Sequence, residues 1–240
     1  FRSILGQWAD ALEAAGVREI TGDIIGDGRY FIEEFYSGYW ELSDIPYWYA
    51  AGSSGLAIEE NAFRLVFTPG ENVGDTPAVE IIPPTDYMTF INEAKTAEAG
   101  GAKDMDIVER DPKSNVARIA GSLALDAGTK SERGSVWDGP RYAAYLFRET
   151  LERRGVRVAG EALNIRAMEN AARIDAAPPE RRRVIATWTS PPMRSLCRTV
   201  NRWSHNFFAD QLLRTIGKKL WLQRLTRSEE HTSELQSHSG

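Results

Sequence analysis

The 240-residue sequence predicts a mixed α/β (α+β) architecture on three observations. A helix–strand phrase occurs twice, far apart; short alternating strands fill the interval between the copies; and amphipathic helices follow towards the far end.

In the first copy Ile4, Leu5, Trp8, Ala11, Leu12 and Ala15 share one helical face, Gly16 supplies a left-handed stop, and Val17–Ile25 reads as a strand. In the second, Ala143, Leu146, Phe147, Thr150 and Leu151 form the stripe. Pro140 lies near its start, Gly155 ends it and Val156–Val158 follows. Leu12-Glu13-Ala14-Ala15-Gly16-Val17-Arg18 and Leu151-Glu152-Arg153-Arg154-Gly155-Val156-Arg157 are close copies. Two helix–strand units of one α/β subdomain are the simplest account, a chance likeness of amphipathic helices being the other. Between them Phe63, Leu65 and Phe67 alternate, as do Ile119, Gly121, Leu123 and Leu125, with Gly and Pro turns around them: a β-rich insertion. Glu169–Arg183 contains Ala-Ala-Pro-Pro and reads as a linker, with a domain boundary near Pro178. Beyond it Val184–Trp188 reads as a strand, Met193, Leu196, Cys197 and Val200 as a helical stripe, and Asn206 to about Ile216 as a second helix. The expected organisation is 1–62 and 136–178 as two parts of an α/β insertion, 63–135 nested within it, and 179–226 as part of a further domain.

Composition narrows the function. Hydrophobic residues at 42% and charged residues at 26% are ordinary for a folded protein. A net charge of −5 without basic clusters disfavours nucleic acid and anionic membranes as partners. A single cysteine, Cys197, forms no internal disulfide and no cysteine-rich metal site. The chain starts at Phe1 and is expected to be a fragment. Arg227–Ser237 matches the in-frame translation of a common sequencing adapter, so 227–240 is expected to be a non-native tail. That leaves His205 as the one histidine in the native part and disfavours a Ser-His-Asp triad. Gly22, Gly26 and Gly28 do not form a dinucleotide loop. Asp104, Asp106, Glu109 and Asp111 miss the calcium-loop pattern and read as a solvated face; no metal or cofactor is expected.

The most informative stretch runs from Ser190-Pro191-Pro192-Met193 through Ser204-His205-Asn206 to Ala209-Asp210-Gln211-Leu212-Leu213-Arg214-Thr215-Ile216-Gly217. By itself, Ser-x-Asn ahead of a helix reads as an N-cap, with the Ser204 or Asn206 oxygen accepting a free backbone N–H. The whole stretch resembles the second signature of penicillin-recognising serine enzymes, in the version of the D-Ala-D-Ala carboxypeptidase/endopeptidase family, the class C low-molecular-mass penicillin-binding proteins. Gly22-Asp23-Ile24-Ile25-Gly26-Asp27, Tyr49-Ala50-Ala51 leading to Glu60-Asn61, and Asp138 through Gly160 are similar to that family in the family's order. The resemblance covers about residues 1 to 217.

It implies a partial penicillin-binding transpeptidase-like domain carrying inserted domains, in a periplasmic or cell-envelope enzyme acting on peptidoglycan stem peptides and acylated by β-lactams. Ser204 would pass a proton between a lysine base and the departing D-alanine amine, and Asn206 would hold a substrate peptide group and that lysine. In Tyr39-Trp40-Glu41-Leu42-Ser43-Asp44-Ile45-Pro46-Tyr47-Trp48-Tyr49, seven of eleven residues are aromatic or acidic. Unaided, this reads as a loop packing its rings on the domain. The resemblance implies contact with the stem peptide's side chain, with Asp44 taking the free amino group of diaminopimelate between walls of Trp40 and Tyr49. The family's other signatures, Ser-x-x-Lys and Lys-Thr-Gly, do not occur in this sequence, Lys95-Thr96-Ala97 being the nearest approach. The polypeptide alone is therefore expected to be inactive. A noncatalytic envelope-binding protein is the alternative.

Overall fold

The computed structural model describes residues 4–31, 36, 40–175 and 178–220. The tail 227–240 lies outside the described residues. The chain divides into two compact units, Phe1–Pro191 and Pro192–Gly240.

The first unit opens with α1 (Ile4–Ala14), β1 (Glu19–Ile20) and β2 (Ile24–Gly26). Eight short strands follow: β3 (Ala62–Thr68), β4 (Ala78–Ile82), β5 (Thr89–Asn92), β6 (Lys95–Ala97), β7 (Asp106–Arg110), β8 (Val116–Ala120), β9 (Ser122–Ala124) and β10 (Lys130–Ser135). It closes with α2 (Gly139–Arg153), β11 (Arg157–Val158), β12 (Ala162–Asn164) and α3 (Ala171–Asp175).

The repeated phrase folds the same way twice. After α1 the Val17 N–H donates to the Leu12 carbonyl at 3.1 Å and the Gly16 N–H to Glu13 at 3.0 Å; after α2 Val156 donates to Leu151 at 3.0 Å and Gly155 to Glu152 at 2.9 Å. Both glycines are left-handed, at φ 82° and 80°, the region where a β-carbon is strained. The strands that leave these turns pair in parallel, Glu19 with Arg157 and Ile20 with Val158. Ala9, Leu151, Val156 and Val158 form a small core beneath them, with Leu12, Ile20, Ile24 and Phe147 packed against it.

The single strand expected over Val17–Ile25 is two strands. Between them the Asp23 carboxylate takes the Glu161 N–H at 2.9 Å, replacing a ladder bond, before Ile24 pairs with Ala162. The helix α2 is capped by Asp138, whose carboxylate accepts from the Arg141 N–H at 3.1 Å and from Asn164 at 2.8 Å. Its first turn sits so close to β2 that a β-carbon on Gly26 would lie 1.9 Å from the Pro140 carbonyl oxygen.

The β-rich stretch leaves and returns through one neck, because Ala62 and Ser135 are paired at the ends of antiparallel β3 and β10. β10, β3 and β4 form one sheet, β5, β8 and β7 another, and β6 pairs with β9. Phe63, Leu65 and Phe67 point inward along β3 as their alternation predicts. The alternating run through Ile119 and Leu123 breaks into β8 and β9 at left-handed Gly121 (φ 99°), although both apolar residues are fully buried. These side chains join Leu5 of α1 and Tyr142 and Leu146 of α2 in one continuous core.

The segment read as a linker is fastened in place: Arg29 bridges Asp27 and Asp175, each at 2.7 Å, and Arg182 donates to the Asp175 carbonyl at 2.6 Å. The strand expected at Val184–Trp188 does not form. Residues 182–192 carry no regular structure, and Val184 and Trp188 are 79% and 50% exposed. Backbone groups of a strand require a paired neighbour, and no described strand lies beside this one.

The second unit contains α4 (Met193–Trp203) and a helix over 206–220, here α5. Among the described residues α4 buries none of its side chains, and Met193, Leu213 and Ile216 are all exposed.

Candidate functional site

The turn between α4 and α5 carries Ser204 and Asn206. Ser204 is the C-cap of α4 in the left-handed region (φ 50°, ψ 49°), and its N–H donates to the Val200 carbonyl. This conformation is uncommon for a residue other than glycine or asparagine, and it leaves the Ser204 side chain exposed. The N-cap reading of Ser204 and Asn206 gives way to their neighbour. His205 is the capping residue of α5: its Nδ1 accepts from the Phe208 N–H at 3.4 Å and its carbonyl from Ala209 at 3.1 Å. The His205 ring is buried and stacked on Phe208 at 4.3 Å, so this histidine serves the helix start. Asn206 is half-buried on the first turn of α5.

In the first unit, the structure brings Trp40, Asp44 and Tyr49 together. The Tyr49 hydroxyl donates to one Asp44 oxygen at 3.0 Å, and the Glu41 N–H donates to the other at 3.0 Å. The Trp40 and Tyr49 rings meet at 5.6 Å with their planes 59° apart. Tyr47 stacks on Tyr49 at 5.6 Å and 7°, while its own hydroxyl donates to Asp106 on β7 at 3.2 Å. Arg133 of β10 lies over the Trp48 ring at 4.4 Å and pairs with Glu60 at 2.6 Å. Burial, then the hydrogen bond to Asp44, pushes the Tyr49 phenol up to about 12. Burial and Asp106 likewise raise Tyr47. Both phenols therefore remain donors near neutrality. A carboxylate has about four acceptor positions, so two held bonds orient Asp44 and leave room for a cationic donor.

Sequence reasoning gave no role here to Arg110 and Ser135, which both bond the Ile45 carbonyl, to Tyr36, which accepts from Arg110, or to the Tyr47–Asp106 pair. Strict alternation along Asp106–Arg110 would set Arg110 on the face opposite Ile107. A register shift between Ile107 and Glu109 turns it to the buried side. Asp106 was grouped with a solvated acidic face; Asp104 and Glu109 are exposed, whereas Asp106 is half-buried against Tyr47.

A family model described as "D-Ala-D-Ala carboxypeptidase 3 (S13) family" matches residues 2–237. The chain belongs to this family. Among curated S13 relatives it is 26% identical over 223 residues to a D-alanyl-D-alanine carboxypeptidase of Actinomadura sp. (strain R39), covering 90% of this chain and 39% of that protein. It is 21% identical over 208 residues to the D-alanyl-D-alanine carboxypeptidase DacB of Haemophilus influenzae, covering 86% of this chain and 40% of the relative. The chain thus spans about two fifths of the length of these relatives. The crystal structure of penicillin binding protein 4 (dacB) from Haemophilus influenzae superposes with a TM-score of 0.67 at 19% identity, over 88% of this chain and 44% of that one. A second structure of that protein, complexed with a β-lactam, superposes at 0.54 with the same identity, over 88% and 43%. The mixed α/β architecture and its partial penicillin-binding fold accord with the sequence expectation.

Proposed function

We propose that this chain is part of a serine-type D-alanyl-D-alanine carboxypeptidase of the periplasm or cell envelope that trims peptidoglycan stem peptides. The observation that carries this reading is the S13 match over residues 2–237, since it spans both the acidic aromatic stretch and the Ser204–Asn206 turn. A serine contributed by another part of the protein attacks the carbonyl of the penultimate D-alanine, the C–N bond to the terminal D-alanine breaks, and water hydrolyses the resulting ester. Ser204 carries the proton to the departing amine, and Asn206 holds a substrate peptide group. Exposure of Ser204 at a left-handed cap, with Asn206 half-buried beside it, supports these roles, because both remain within reach of a ligand. Asp44 receives the amino group of the stem peptide's diamino acid between Trp40 and Tyr49. With a β-lactam the same serine attacks the lactam carbonyl, the ring C–N bond breaks, and the resulting ester stalls there. In the endopeptidase variant the same serine attacks the D-alanyl carbonyl of a cross-link, the C–N bond to the second stem peptide's side-chain amine breaks, and water hydrolyses the ester.

In domain terms, 63–135 is a nested insertion within an α/β insertion formed by 1–62 and 136–178, and 179–226 belongs to the catalytic domain. The test is the complete gene. Its product should release D-alanine from a pentapeptide ending in D-Ala-D-Ala and become covalently labelled by penicillin, and Ser204→Ala should slow both by about 100-fold or more. A complete product that takes up no penicillin and releases no D-alanine would overturn the reading.

A further inference from the structure

We propose that Arg110 is the positioning residue of the acidic aromatic segment. Its guanidinium fastens the chain on both sides of Trp40 and Asp44 and fixes the direction in which the Asp44 carboxylate is presented. The inference rests on the reading of that segment as the side-chain subsite.

Arg110 ends β7 and is only 3% exposed. Buried arginines ordinarily face a carboxylate. Here, among the described residues, every acceptor is neutral: the Ser114 carbonyl at 2.9 Å, the Tyr36 hydroxyl at 3.0 Å, the Ile45 carbonyl at 2.9 Å and the Ser135 hydroxyl at 2.6 Å. Nε is buried without a partner among those residues. Among the described residues the guanidinium is thus held by hydrogen bonds to neutral acceptors. One nitrogen, Nη2, contacts Tyr36 and Ile45, which flank Trp40 and Asp44 in the sequence. Ser135 completes the tie, donating to the same Ile45 carbonyl at 2.5 Å while its N–H donates to Pro46 at 2.9 Å. Tyr36 is further held by stacking on Trp137 at 5.9 Å. Asp44 immediately precedes Ile45, the residue whose carbonyl is clamped, so its backbone is held next to a rigid fork rooted in the β-rich core. A lysine could not reproduce this, because an ammonium is a point donor and lacks the planar fork.

Two measurements test the proposal. In the complete enzyme, the ratio of kcat/KM for a stem peptide bearing a free side-chain amine to that for its amine-less analogue should fall about tenfold in Arg110→Met and Arg110→Lys, chiefly through KM, as in Asp44→Ala. Ser135→Ala should give a smaller fall in the same direction. Full rescue by Arg110→Lys, or equal losses on the two peptides in all three Arg110 and Ser135 variants, would overturn it. In the 240-residue chain, the N–H groups of Asp44, Ile45 and Tyr47, which bond to Glu41, Leu42 and Asp44 carbonyls, should exchange about tenfold faster in Arg110→Lys while α2 amides keep their protection. Unchanged exchange at those three amides would also overturn it. A wild-type enzyme indifferent to the side-chain amine would instead defeat the assignment of Asp44, leaving the exchange result to judge the clamp on its own.

Discussion

Asp44 is oriented by hydrogen bonds within its own loop, one oxygen on the Tyr49 hydroxyl and the other on the Glu41 N–H. The coupling is visible from the phenol's side: burial first, and Asp44 second, raise Tyr49 from an ordinary 10.0 to about 12. The protonated phenol is the donor, so this bond's contribution to stability is fully present below pH 10.0 and disappears as pH rises through about 12. The difference between the ultraviolet titrations of the wild type and Tyr49→Phe should therefore show one phenol ionising near 12. In Asp44→Asn that step should move down without reaching 10.0, because burial, the larger cause, persists. A complete return would show that burial contributes nothing. The crowding of rings and acids around Pro46 was readable in the sequence, whereas the choice of Trp40, Asp44 and Tyr49 within it came from the family resemblance. Arg110 was not readable, because a bulge inverts which face it occupies, and a bulge leaves no mark in an alternation count.

At the scale of elements, the two near-identical phrases around Gly16 and Gly155 were readable, since helix stripe, left-handed stop and following strand are all local signals. The break within Val17–Ile25 was not, because it depends on Asp23 meeting the Glu161 N–H, a partner remote in sequence. The glycines near Pro140 acquire a reason only in three dimensions. A β-carbon on Gly26 would collide with the Pro140 backbone, whereas one on Gly16 would meet nothing within 4 Å and suffer only its positive φ. Gly26→Ala should thus cost above ~3 kcal/mol by displacing the start of α2. Gly16→Ala should cost about 1 kcal/mol. Urea midpoints of the two variants decide the matter, and equal losses would refute the close-packing argument.

For the molecule as a whole, several phrases in family order made the S13 relationship legible without a fold, while the fate of 182–192 was not, since pairing of that stretch depends on a neighbouring strand. The sequence holds neither Ser-x-x-Lys nor Lys-Thr-Gly. The 240-residue chain should accordingly resist labelling by a fluorescent penicillin under conditions that label the complete protein, and a covalent band on the isolated chain would contradict that.

The parallel pairing of Glu19–Ile20 with Arg157–Val158 has a consequence for biosynthesis. At roughly 5–20 residues per second on the ribosome, α1 and β1 emerge several seconds before the strand that completes them. Through that interval Leu5, Ala9 and Leu12 lack the cover they later receive. The nascent polypeptide thus carries an apolar helix in waiting, and closure of the first unit must await translation of its distant half.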